Sequence, residues 1–199
     1  NCAELVVKNQ DWHLDFPKQY ISFGDQKYPI QFIGTESTVS NTWLWGWENV
    51  NNFSDSLIEF AKSTKQKGIK WNLEPLTTPE FDLNETFNGH NLSIVSCAIS
   101  DKKMCYYRCV HDKGAIFVAF SDIPNEVFAP LEIQRFAAIV AQCIQQFYVD
   151  HRIFVESFLR WNRTSFDCQG DDIIAHFPVD LTKKKKKADG IYRITAMNS

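Results

Sequence analysis

Residues 30–49, IQFIGTESTVSNTWLWGWEN, decide the architecture, because they place Trp43, Trp45 and Trp47 at every second position. In a β-strand successive side chains point to opposite faces, so this spacing lines three indoles on one face and leaves Leu44 and Gly46 on the other. A helix would scatter the rings around its axis. Upstream, Ile30, Phe32 and Gly34 alternate in the same way, and the polar STVSN between the two runs reads as the turn of an antiparallel hairpin. The expected pair of strands covers residues 28–37 and 42–48.

On the N-terminal side, residues 12–16 and 20–23 read as short strands, with Pro17 at an edge or bend and Gly24 and Asp25 in a turn. On the C-terminal side, Ser54 is placed to cap a helix over 54–67, in which Leu57, Ile58, Ala61 and Thr64 form a stripe and Gly68 falls where a C-cap belongs. Residues 71–82 carry two prolines, Pro75 and Pro79, without a period, and read as a loop. A second helix is expected over 84–98, with Phe87, Leu92, Val95 and Cys97 inward. Residues 104–110 and 115–120 alternate as two strands around a turn at Asp112, Lys113 and Gly114. Pro130 then opens a long helical segment over 130–160, marked by Ile133, Phe136, Ala137, Val140, Ile144 and Phe147. Its length favours a break into a helix pair near Tyr148, Val149 and Asp150. Residues 173–177 and 191–196 read as closing strands on either side of LTKKKKKADG.

These elements predict an α+β fold, an antiparallel β-sheet whose aromatic face packs against helices. At 199 residues the chain fits one domain, with an aromatic-sheet part over 12–121 and a long helix plus hairpin over 130–199. Sixteen Phe and six Trp make an aromatic interior. A net charge of −3 and a pI near 6.0 argue against a nucleic-acid partner, which calls for a basic surplus. No apolar run approaches the ~18 residues that cross a bilayer, and residues 1–20 lack a signal-peptide pattern, although the chain starts at Asn1. The six cysteines, Cys2, Cys97, Cys105, Cys109, Cys143 and Cys168, have no paired CxxC spacing and are expected as reduced thiols, mostly in the core. Sequons at Asn52, Asn84, Asn91 and Asn162 carry little weight beside that, and the expected setting is the cytoplasm.

Chemistry-bearing motifs are sparse. The chain contains no GxSxG, Walker loop, GxGxxG, HExxH or kinase signature, and nothing selects one of the thiols as a nucleophile. His111 shares strand parity with Cys105 and Cys109, a weak metal arrangement set against the ordinary reading of both cysteines as small hydrophobes. No catalytic residue, metal or cofactor is assigned. The five lysines Lys183 to Lys187 read as a solvated hairpin tip, with steering of an anionic partner as the competing reading. The tryptophan strand itself has two readings. Its rings fill the core beneath the helices, or they stack on a ligand near Trp71, in a site at the strand end made of Trp45, Trp47, Glu48 and Asn49.

The run QFIGTES followed by TWLWGWEN resembles an uncharacterised bacterial family of small proteins that combines a GTxS-type strand with a tryptophan strand of this kind, a helix ending near a glycine and a later hairpin. The likeness covers residues 12–121 and includes Trp12, Asp15, Phe23, Gly34, Trp43, Trp45, Trp47, Asn49 and Gly68. It implies a fold and no activity. The expectation is therefore a non-catalytic binding or interaction protein of the immunity or accessory type, engaging a protein or a small molecule, with a homodimer among the assemblies this allows. The alternative is a small-molecule binder or enzyme with a pocket at the end of the tryptophan strand.

Overall fold

The longest strand of the protein, β3 in the order below, is paired with three other strands. The structure is a computed structural model that describes residues 2–177 and, as backbone, 191–194. Its contacts divide the chain into two compact units, Asn1–Val127 and Phe128–Ser199.

The first unit runs from a single π turn at Ala3–Val7 through β1 (Trp12–Asp15), β2 (Tyr20–Phe23), β3 (Gln26–Ser37) and β4 (Thr42–Trp45) to α1 (Asp55–Trp71). There follow β5 (Glu80–Asp82), α2 (Gly89–Ile99), β6 (Cys105–His111) and β7 (Gly114–Phe120). The seven strands form one antiparallel sheet. Along one edge of β3, residues 26–29 pair with β2 and residues 34–37 with β4, while β7 takes residues 30–37 on the other edge. The ladder with β7 shifts register between Phe32 and Gly34, so Ile33 is an extra, bulged residue. A bulge bends its strand and increases the local twist. The sheet accordingly curls until two of its outer strands, β1 and β6, approach each other through Trp12 and Tyr107, whose ring centroids lie 6.0 Å apart.

The bulge also changes which side chains share a face. Phe32 meets Phe16 and Phe53 edge to face, whereas Ile33 joins Trp43, Trp45, Trp47, Phe60, Ala61, Leu92 and Phe117 in the core beneath the helices. The simple alternation expected for Ile30, Phe32 and Gly34 is thus broken at Ile33. The tryptophan strand is corrected too. It ends at Trp45, and Gly46–Glu48 form a 3-10 turn, so Trp47 enters the common core from a turn rather than from a strand extending to residue 48.

Other boundaries moved for identifiable reasons. Helix α1 continues through Gly68 to Trp71 and is capped by Asn72 in the left-handed region (φ 54°). Gly68 serves close packing instead, since a Cβ there would stand 2.6 Å from that of Leu76. Ser54 occupies the N-cap position, but its hydroxyl bonds Gln19 and Ser56 rather than a helix N–H. Helix α2 starts only at Gly89, where the Asn88 side chain accepts from Asn91 N at 3.0 Å. Its buried stripe is Gly89, Leu92, Ser93 and Ser96, while Phe87 and Val95 are exposed. Small residues let the helix sit close to the sheet, and they hide that face from a hydrophobicity reading. Within the segment read as a loop, Glu74–Leu76 make a 3-10 turn and Glu80–Asp82 pair with β4.

The second unit contains α3 (Ile133–Gln146), α4 (His151–Trp161), β8 (Ser165–Gln169), β9 (Asp172–His176) and β10 (Ile191–Ile194), with strand order β10-β9-β8. The long helical segment does divide into a pair, because Phe147 is extended and Asp150 caps α4 by accepting from Ile153 N at 2.8 Å. Pro130 lies upstream of α3, whose N-cap is Glu132, and not at its first position. Phe136, Val140, Val155, Leu159, Ile173, Ala175 and Phe177 form the core of this unit. The buried Asn162 side chain takes Leu131 N–H as acceptor and donates to Leu131 O (3.1 Å) and Thr164 Oγ1 (3.0 Å), which occupies the amide of that sequon. The lysine run 183–187 lies outside the described residues.

Two substitutions test this packing. A Cβ at residue 34 would stand 2.6 Å from Leu44 O and press on the Trp43 ring. Gly34→Ala is therefore expected to lower stability by about 1–3 kcal/mol through overpacking, read as a lower urea midpoint at unchanged m. Asn162→Ala orphans the Leu131 backbone and is expected to cost about 1–3 kcal/mol.

Candidate functional site

The end of the tryptophan strand is a structural junction. Trp45 is 1% exposed and its Nε1 donates to Pro75 O at 2.9 Å; its ring meets that of Trp43 edge to face at 5.2 Å. Trp47 is buried beneath the ammonium of Lys65, which sits 3.6 Å from the ring centroid. Asn49 adopts a left-handed backbone (φ 54°), and its carboxamide accepts from Phe53 N (2.7 Å) and donates to Phe53 O (3.0 Å). These bonds fold the connection from β4 into α1. Glu48 is exposed, and Trp71, at 48% exposure, ends α1. The structure thus brings Trp45, Trp47 and Asn49 together, with their rings and amide committed to the fold.

A concave site lies elsewhere in the same unit. A cleft of about 260 Å³ is lined by Ile30, Gln31 and Pro29 of β3, Glu59, Phe60 and Ser63 of α1, Ser100, Asp101, Lys102 and Met104 of the segment after α2, and Ser121 beyond β7. Ile30, Phe60 and Met104 are buried and supply an apolar floor. Ser63, Ser100 and Ser121 supply hydroxyls, and Glu59 and Lys102 supply charges of opposite sign.

Two side chains fix the walls. Gln31 reaches from β3 into α1, where its Nε2 donates to Ser56 O (2.6 Å) and its Oε1 accepts from Phe60 N (2.9 Å). These are the two backbone groups that a regular helix joins to each other, so the carboxamide ties the helix to the strand at that turn. Lys67 of α1 donates to Ile99 O, at the C-terminal end of α2 where a cation is favoured, and pairs with Asp101 at 3.2 Å. Ser100 Oγ accepts from Lys102 N at 3.1 Å. No motif marks these residues in the sequence; the available signal is Gln31, a polar side chain in mid-strand between Ile30 and Phe32.

A second polar group sits at the start of α2. Glu36 accepts from Gly89 N at 2.6 Å and lies 3.5 Å from Arg108, whose Nε is buried without a hydrogen bond. Next to it His90 Nδ1 and Tyr106 OH are 3.2 Å apart. The carboxylate here fills the helix N-terminus itself.

The cysteines are free thiols, of which Cys109 is buried and Cys168 exposed. Cys2 and Cys105 hydrogen-bond each other, which holds Cys2 below and pushes Cys105 above the usual thiol value. Burial pushes Cys97 up to about 12, with the neighbouring Cys2 adding to it, and burial alone does the same to Cys109. His111 Nδ1 accepts from Lys113 N at 3.2 Å. Among the described residues no three His, Cys, Asp or Glu side chains are grouped for a metal ion, and no helix is long and apolar enough to cross a membrane.

Comparison with known proteins places the chain by family. Residues 2–123, more than half of it, match the model of the DUF6882 family, described as a family of unknown function, and the chain belongs to that family. The matched stretch covers the whole curled sheet with α1 and α2. No curated protein and no solved structure matches the chain.

The buried thiols make stability depend on alkaline pH. Their folded values are raised, so the stabilisation is intact below the unfolded thiol value near 9.0 and is lost as pH rises toward about 12, since unfolding then releases protons. Burial raises Tyr106 and Tyr107 in the same sense. The urea midpoint is expected to fall above about pH 9, and Cys109→Ala is expected to flatten part of that slope.

Proposed function

We propose that this protein is a non-catalytic binding protein of the accessory or immunity kind, and that its recognition site is the cleft between α1, β3 and the segment after α2. The observation that carries this reading is that the cleft combines a buried apolar floor with a polar rim, on walls held by Gln31 and Lys67. Pockets with an apolar lining and a few fixed polar groups are the usual small-molecule sites, and preformed walls spare a ligand the cost of ordering them. Glu48 and the rim of Trp47 remain the place for the alternative, a pocket at the strand end. The free thiols support a reducing, cytoplasmic setting, and the tryptophan strand supports a bacterial source on the resemblance described above.

A metabolite library read by thermal shift tests the proposal. A ligand present at 100 times its dissociation constant adds about 2.7 kcal/mol, a shift of several degrees. Ser63→Trp, which fills the cleft from an exposed helix position, is expected to abolish the shift, and Glu48→Ala to leave it unchanged. A shift lost in Glu48→Ala and kept in Ser63→Trp would move the site to the strand end, and turnover of the hit would make the protein an enzyme.

A further inference from the structure

The charges on the cleft narrow what it can hold. Glu59 projects from α1 and Lys102 from the segment after α2, and both line the same cavity. Among the described residues neither side chain makes an ion pair, whereas the third charge on the rim, Asp101, is engaged by Lys67. A carboxylate and an ammonium that face one cavity without closing on each other leave room for a ligand carrying the complementary pair. The same cleft is lined by the hydroxyl-bearing Ser63, Ser100 and Ser121 and by the buried Ile30, Phe60 and Met104. A site so arranged has a place for a cation at Glu59, a place for an anion at Lys102 and an apolar floor for a side chain.

We propose that the cleft binds a small zwitterion with an apolar side chain, a free α-amino acid or a dipeptide, with its ammonium on Glu59, its carboxylate on Lys102 and its side chain against Ile30, Phe60 and Met104. This rests on the cleft being the recognition site, and it adds the ligand class. A volume of about 260 Å³ matches ligands of this size. The two anchoring charges are solvent-exposed, so each contributes modestly and the affinity is weak.

The test is titration calorimetry of the full chain with L-leucine, L-methionine and the dipeptide Leu-Leu, beside N-acetyl-leucine amide, which keeps the side chain and lacks both charges. The amino-acid or dipeptide arm is expected to bind in the micromolar to millimolar range and the capped amide at least tenfold more weakly. Glu59→Gln and Lys102→Met are each expected to weaken zwitterion binding about threefold to tenfold, with little effect on the capped amide. Both positions are exposed, and an unchanged thermal midpoint of the free variants establishes that they fold. Ser63→Trp is expected to abolish binding. Equal affinity for the capped amide, or no effect of either charge variant, would overturn the zwitterion assignment while leaving the cleft as a site. No binding of any zwitterion at millimolar concentration would overturn it as well, and a library hit of another class lost in Ser63→Trp would show that the cleft reading survives that failure. Zwitterion binding kept in Ser63→Trp would overturn both.

Discussion

The first unit depends on one close approach, the seating of the Trp43 ring on the bare backbone of Gly34. Residues 34–37 of β3 are paired on both edges, with β4 and with β7, so their backbone has no free edge. Any side chain at position 34 would meet Trp43 and Leu44 O, and only glycine lets the strand carry the indole directly against it. Burying a ring of that size removes about 150–250 Å² from water, which at ~25 cal/mol/Å² is about 4–6 kcal/mol, as large as the net stability of many small domains. The bulge at Ile33 belongs to the same device. It adds one more apolar side chain to the helix-covered core and bends the strand enough for β1 and β6 to meet through Trp12 and Tyr107.

That bend explains where concave surface exists and where it does not. The tryptophan strand stops at Trp45 because the chain must turn into α1, and the turn takes up several of the polar groups nearby, while the Nε1 groups of Trp43 and Trp47 are buried without a hydrogen bond. Trp45 Nε1 holds Pro75, Asn49 holds Phe53 and Lys65 covers Trp47. In the middle of β3 the strand passes beneath α1 with Gln31 as a spacer, and the return from α2 is drawn in by Lys67. Helix, strand and connection are tied here by polar side chains above their shared apolar core, and the space left between them is the cleft.

Much of the fold was legible in the sequence, and the failures have local physical causes. Alternation identified β2, β4, β6 and β7 and the hairpin turns, and length statistics divided the helical segment over 130–160 at the point where Phe147 leaves helical geometry. The bulge was not legible, because one inserted residue leaves the composition of β3 untouched while reversing its parity. The buried face of α2 was read only in part, since Leu92 and Cys97 do pack on the core but Gly89, Ser93 and Ser96 are too small or polar to mark it, and the end of α1 was misplaced because Gly68 and Asn72 are both credible terminators. The cleft was the least visible feature. Its lining comes from four separated segments, and the residues that shape it, Gln31 and Lys67, act through bonds to distant backbone that no spacing rule encodes.

Native-state hydrogen exchange measures the central claim most directly. If the doubly paired stretch of β3 under Trp43 organises the first unit, the amides of residues 34–36 and of their partners at 115–117 exchange only through global unfolding, with the largest protection in that unit and the full denaturant dependence. Exchange of these amides through local opening, faster than in the middle of α1, would contradict it.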